Sequence, residues 1–163
     1  MKPVATAFEP VICIQSEPFD AEAETARLMR GRTDIGAVVG FLGLCRDEGG
    51  RLAALELEHY PGMAEAEIGR IAAKAAQRWP LLGLVVVHRH GVVAAGEAIV
   101  LVAAASTHRQ AAFEAASFLM DFLKTRAPFW KREHLADGTV GGWVEAAEAD
   151  DEAAARWDGF TRR

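Results

Sequence analysis

The sequence predicts a single α+β domain with a mainly antiparallel sheet. Three observations carry this. Short apolar runs are separated by Gly-, Pro- and Asp-rich turns, other stretches space their apolar residues by three and four, and no repeat, linker or low-complexity segment divides the 163 residues. A chain of this length buries roughly two-thirds of the surface its unfolded form exposes and needs no disulfide or metal to fold.

Val11 to Gln15 is an apolar run suited to a strand, and Asp20 then caps an Ala- and Glu-rich helix that stops at Gly31. From Ile35 a glycine-punctuated β-rich run reaches Cys45, turns at Asp47-Glu48-Gly49-Gly50 and resumes at Leu52. The alternation Leu55-Glu56-Leu57-Glu58 makes the second arm a half-buried strand, and the two arms are expected to form a hairpin. Pro61 suits the first turn of a helix that runs through Ile68, Ile71, Ala72 and Ala75 and stops at Trp79-Pro80. Leu84 to His88 and Ala98 to Ala104 read as strands around a turn-rich Gly91–Gly96 segment. Ser106 or Thr107 then caps the longest helix, which points Ala112, Phe113, Ala116, Leu119, Met120 and Leu123 to the core and ends at Pro128. Phe129 to Val144 reads as two short strands around Asp137-Gly138, and Glu145 to Arg163 as a polar helical or mobile end. The domain is expected to span 1–163, with its core at about 11–144.

Charge and composition exclude several roles. With 23 acidic and 18 basic residues the formal net charge is -5, so no general grip on a nucleic-acid backbone is expected and any anion must be bound locally. No apolar run approaches the roughly 20 residues of a membrane span, and the N-terminus lacks the pattern of a secretion signal. Cys13 and Cys45 stand far apart, outside any metal or redox spacing. These features predict a cytoplasmic protein that contacts neither nucleic acid nor membrane.

Four places can carry chemistry. Ser106-Thr107-His108-Arg109 lies where a strand ends and a helix begins; unpaired amides, an imidazole and a forked guanidinium there would hold a phosphate, or the residues are an ordinary polar helix start. At the other end of that helix Lys124, Arg126, Lys131 and Arg132 put four cations within nine residues. Crowded lysines have a lowered pKa and can act as base or nucleophile, although cations also simply complement a helix C-terminus. Pro128 separates Lys124 from Lys131, so the two converge only if the chain folds back. Arg46 follows Phe41-Leu42-Gly43-Leu44-Cys45, where the bare Gly43 would admit a ligand or another backbone; it is a third anion contact or a solvent-facing edge arginine. Cys45 in that apolar strand suits inert packing. His59-Tyr60 suits a structural role at a strand-to-helix junction, and His88 and His90 share a strand face but lack the partners of a metal site.

Taken together, Gly36 to Arg46, Leu57-Glu58-His59-Tyr60-Pro61-Gly62-Met63, Ser106 to Arg109 with Ala112-Phe113, and Asp121 to Glu133 resemble, in order and spacing, the large subunit of molybdopterin synthase from about Val11 to Val144. The resemblance implies an α/β hammerhead fold with additional antiparallel strands. It also implies a central homodimer with a small ubiquitin-like sulfur-carrier subunit at each end, a heterotetramer. The carrier's C-terminal Gly-Gly thiocarboxylate would enter the large subunit's pocket and deliver sulfur to cyclic pyranopterin monophosphate; this chain ends Thr161-Arg162-Arg163 and is not that donor. By carry-over, Lys124 and Lys131 are the catalytic residues of a sulfurtransferase, and Arg46, His108 and Arg109 hold the phosphate. No metal or cofactor is implied. Cys45 and the pair Gly141-Gly142 depart from the family pattern and bear only on local packing. Two other readings remain: a non-catalytic module that binds a phosphorylated metabolite, and a structural dimerisation domain.

Overall fold

The computed structural model describes residues 8–125, 129–144 and 155–158. In chain order the elements are β1 (Val11–Gln15), α1 (Ala21–Met29), β2 (Ala37–Leu44), β3 (Leu52–His59), α2 (Met63–Arg78), β4 (Leu81–Arg89), β5 (Gly91–Ala94), β6 (Ala98–Ser106), α3 (Arg109–Thr125) and β7 (Phe129–Leu135). They build two sheets. One has the order β1-β4-β6-β2 and the other β5-β3-β7, and every pairing is antiparallel except β1 with β4. This is the α+β architecture expected, with β1, α1, α2, β4, β6 and α3 where the sequence places them.

The larger sheet is covered on both faces, which is why its central strands are apolar at every position rather than at alternate ones. Leu84, Val86, Val102 and Ala104 face a cluster with Ile68, Ile71, Phe118 and Leu119 from α2 and α3, whereas Val85, Val87, Leu101 and Ala103 face Phe19 and Leu28 around α1. Alanines at 111, 112, 115 and 116 are all buried, so the N-terminal half of α3 presents small side chains to its neighbours. The Asp20 carboxylate accepts from the Ala23 amide at 3.0 Å and starts α1 as expected.

The expected hairpin of β2 with β3 does not form. β2 pairs along its length with β6, from Ala37↔Ser106 to Leu44↔Ala98, and at Cys45 the chain leaves this sheet, its amide and carbonyl bonded to Glu97 O and Gly96 N. β3 lies between β5 and β7 in the second sheet. Charge explains the choice: Glu56 of β3 accepts from Arg132 at 3.0 and 3.1 Å and bonds His134 at 2.8 Å across to β7, partners that β2 lacks. The Gly91–Gly96 segment is likewise more than a turn, because Gly91–Ala94 forms β5 against β3.

Other local expectations shift. Ser106 ends β6 and donates its hydroxyl to Pro80 O at 2.8 Å, so it does not cap α3. α2 begins at Met63 behind Gly62, whose φ of 84° suits glycine and whose amide is taken by Glu65 at 2.7 Å; Pro61 precedes the helix. Phe113 is 60 % exposed, off the stripe that buries Phe118, Leu119, Phe122 and Leu123, and Met120 packs at the core's margin. The expected stop at Pro128 falls outside the described residues; α3 ends at Thr125. Beyond β7 the chain turns at Asp137-Gly138 and returns as two isolated bridges, Lys131↔Val144 and His134↔Val140, rather than a second strand. The polar end also has an anchor: Trp157 is buried against Trp79 and Phe118, and its indole donates to Asp121 at 2.6 Å.

Candidate functional site

The two lysines converge. α3 delivers Lys124 in its last turn, and β7, running back antiparallel to β3, delivers Lys131 opposite Leu57; both line one pocket between α3 and the two sheets. Lys124 also borders an adjoining cleft with Arg46, Cys45 and Gly43. Glu48 ties the third cation in: its carboxyl is held below the ordinary carboxylate range by Arg51 first, with Arg46 and Lys131 adding to the effect. Arg46, Lys124 and Lys131, read from two separate stretches of sequence, thus share one neighbourhood.

His108 and Arg109 do not join them within one chain. Both are exposed at the start of α3, and Lys124 sits in its last turn, roughly 22 Å along the axis at about 1.5 Å per residue. The same separation runs along β2, where Ala37 pairs with Ser106 and Leu44, two residues before Arg46, pairs with Ala98. Gly36 lies so close to this helix start that an added Cβ would sit 2.0 Å from Thr107 O. The space beside Gly43 is filled by Val100 and Phe41 side chains, so that glycine serves strand packing as well as bordering the pocket.

The pocket's walls decide its electrostatics. Apart from the two lysines and His88, every lining side chain among the described residues is apolar, including Leu55, Leu57, Met120 and Leu123. Cations in such a setting act on an anion more strongly than they would in water. His88 is 8 % exposed, its ring stacked on Phe129 at 3.9 Å and 14°, with Nδ1 2.8 Å from Arg89 O. Burial pushes its imidazole down to about 4, and Lys124, His59 and His90 push the same way. His88 is therefore neutral at neutral pH. From the sequence His88 offers itself only as a metal ligand; its place under two lysines is set by the meeting of β4, α3 and β7. Cys45 is 1 % exposed and burial raises its thiol pKa, as an inert packing cysteine requires. Behind the pocket His59 contacts His90 and Phe129 with ring centroids at 4.6 and 5.9 Å.

The fold and this pocket define an α+β protein that gathers cations from distant segments into an apolar recess suited to an anionic ligand. The sequence model described as MoaE protein matches residues 14–126, and the chain belongs to the MoaE family. A molybdopterin synthase catalytic subunit from Mesorhizobium japonicum is 67% identical over 154 residues, covering 94% of this chain and 97% of the relative. A molybdopterin biosynthesis MoaE protein from Burkholderia ambifaria superposes with a TM-score of 0.78 at 46% identity, covering 91% of this chain and 97% of that one. The same fold recurs at 21% identity and a TM-score of 0.65 in a complex of subunits 1 and 2 of molybdopterin-converting factor from Helicobacter pylori, covering 84% of this chain and 90% of that one. Among the described residues no helix is long and apolar enough to cross a membrane.

Proposed function

We propose that this chain is the sulfur-transferring subunit of a molybdopterin synthase, in which a small ubiquitin-like carrier brings a C-terminal Gly-Gly thiocarboxylate to cyclic pyranopterin monophosphate. The convergence of Lys124 and Lys131 in one apolar-walled pocket beside Arg46 is the observation that carries this reading. A thiocarboxylate and a cyclic phosphate are both anions, and fixed cations in an apolar recess lower the cost of bringing them together. As sulfur is delivered and the cyclic phosphate opens, negative charge builds on phosphate oxygens. Lys124, Lys131 and Arg46 meet that charge without rearranging, and either lysine can pass a proton to or from the reacting groups. A second carrier repeats the delivery on the retained half-sulfurated species, completing the dithiolene. The two-subunit Helicobacter pylori complex of the same fold supports a carrier partner.

His108 and Arg109 fit this scheme through a homodimer. They are too far from Lys124 in their own chain to hold the same phosphate, so a second copy's α3 start would complete the clamp. The free thiols of Cys13 and Cys45 agree with a reducing, cytoplasmic setting. The test mixes purified chain, cyclic pyranopterin monophosphate and thiocarboxylated carrier, and follows dithiolene product by mass spectrometry. Product is expected with the natural chain and is lost in Lys124→Ala and Lys131→Ala variants that remain folded. Mixing Lys124→Ala with Arg109→Ala chains should restore part of the activity, since a hybrid dimer keeps one intact site. Tight substrate binding without product would instead favour the metabolite-binding module.

A further inference from the structure

The lysine pocket, taken from the proposed function as the transfer site, carries the imidazole of His88 on its floor. Among the described residues His88 is the one polar lining side chain of that pocket besides the two lysines, and no carboxylate of theirs lines it; the nearby Glu48 is engaged by Arg51. A backbone carbonyl only accepts, so the 2.8 Å contact of Nδ1 with Arg89 O makes Nδ1 the protonated nitrogen and leaves the lone pair on Nε2, across the ring. One ring stack and three hydrogen bonds lock this arrangement. The ring lies flat on Phe129, two residues before Lys131 on the same strand, and the Arg89 guanidinium holds its own strand end by donating to Ser16 O at 2.8 and 3.1 Å and to Glu97 at 2.7 Å. The charged and titratable groups that bear on the ring are Lys124 from α3, His59 from β3 and His90 beyond β4, with Lys131 of β7 across the pocket.

We propose that His88 is a positioning residue for Lys124: Nε2 accepts a hydrogen bond from the Lys124 ammonium and fixes where that charge sits, without neutralising it. The chemistry of the choice is specific. An aspartate or glutamate there would pair with the lysine and compete with the incoming anions, whereas a neutral acceptor orients an ammonium and leaves its full charge for the ligand. A buried imidazole beside cations stays neutral through the pH range in which the lysines are charged. Lys124 has three N–H donors, so one bond to His88 leaves others for substrate and for its remaining contacts.

Two near-isosteric variants separate the ring's two nitrogens. His88→Asn retains a donor where Nδ1 bonds Arg89 O and removes the acceptor at Nε2; His88→Gln places an amide oxygen near Nε2. In the sulfur-transfer assay His88→Asn should lower kcat on the order of tenfold with little change in KM, and His88→Gln should recover most of it. The pH profile gives a readout that simple packing would not move. Losing an acceptor for the ammonium lowers the Lys124 pKa, so the basic limb should shift to lower pH in His88→Asn and return in His88→Gln. Equal loss in both variants with an unmoved limb would make His88 a packing residue and overturn the inference, as would unchanged kinetics in His88→Asn. Nitrogen-15 spectra of the natural chain keep the question open to test if a variant does not fold. His88 should be the Nδ1-protonated tautomer, with an Nε2 resonance that moves in Lys124→Ala; an Nε2-protonated ring or an unmoved resonance refutes the proposal. Absence of product with the natural chain would count against the transfer reading itself, which these spectra do not depend on.

Discussion

Acid should destabilise this protein in a window set by one buried imidazole. The perturbation is a fall in pH from neutrality to about 4.5, applied to the natural chain and to His88→Asn, which keeps the bond to Arg89 O but does not titrate there. Burial lowers the His88 pKa from 6.5 to about 4. Below 6.5 the unfolded chain takes up a proton that the folded chain refuses, so stability falls with pH through this window. The loss is complete below the folded value. At about 1.4 kcal/mol per pKa unit the full effect is about 3 kcal/mol, and most of it, between about 2 and 3 kcal/mol, should be gone by about pH 4.5. Glu56, Glu97 and Asp137, whose carboxyls are held below their ordinary range by His134, Arg89 and Thr139 respectively, also lose stabilisation in acid, so the informative quantity is the difference between the two proteins. Urea unfolding followed by the fluorescence of the buried Trp79 and Trp157 measures it. The stability difference between natural chain and variant should shrink as pH falls; curves that stay parallel from neutrality to about pH 4.5 would show that His88 is not held neutral by burial.

Two further predictions address the scaffold. Phe118 is fully buried between Trp79, Trp157 and Phe122, with ring centroids at 5.3, 5.7 and 4.7 Å, so Phe118→Ala should cost about 4 kcal/mol in urea unfolding. A loss under about 1 kcal/mol would mean the site collapses far more readily than this packing implies. Gly36→Ala drives a Cβ into Thr107 O, a backbone atom that yields only if the loop before α3 moves. It should destabilise by about 1–3 kcal/mol and weaken phosphate binding at His108 and Arg109, read by calorimetric titration with inorganic phosphate; an unchanged melting temperature would refute the close approach.

The sequence by itself determined the element types wherever a periodic apolar pattern met a local stop signal. α1 behind Asp20, α2 before Trp79-Pro80, β4, β6 and α3 are of this kind, because a cap or breaker and the spacing or run of apolar residues act within a few residues of chain. It also marked Lys124, Lys131 and Arg46 as candidates, since cations crowded at a helix end and beside a glycine-rich strand are visible in one dimension, but that pattern alone fits an ordinary helix end or strand edge equally, and their roles came from the family resemblance. Pairing was another matter. Whether β3 followed β2 into one sheet depended on Arg132 and His134, some 76 to 78 residues away, bonding Glu56, and no local turn signal contains that information. Gly91–Ala94 read as a turn because two glycines flank it, and only β3 alongside makes it a strand. Trp157 in a polar segment was a lone signal whose partner, Asp121, is known only once α3 is placed. Tertiary structure alone decided that β7 folds back to bring Lys131 beside Lys124, and that His88 lies beneath them. The reason is physical: propensity and capping are short-range, whereas a pocket exists only where the ends of several elements meet, and its polarity belongs to that meeting and to no one segment.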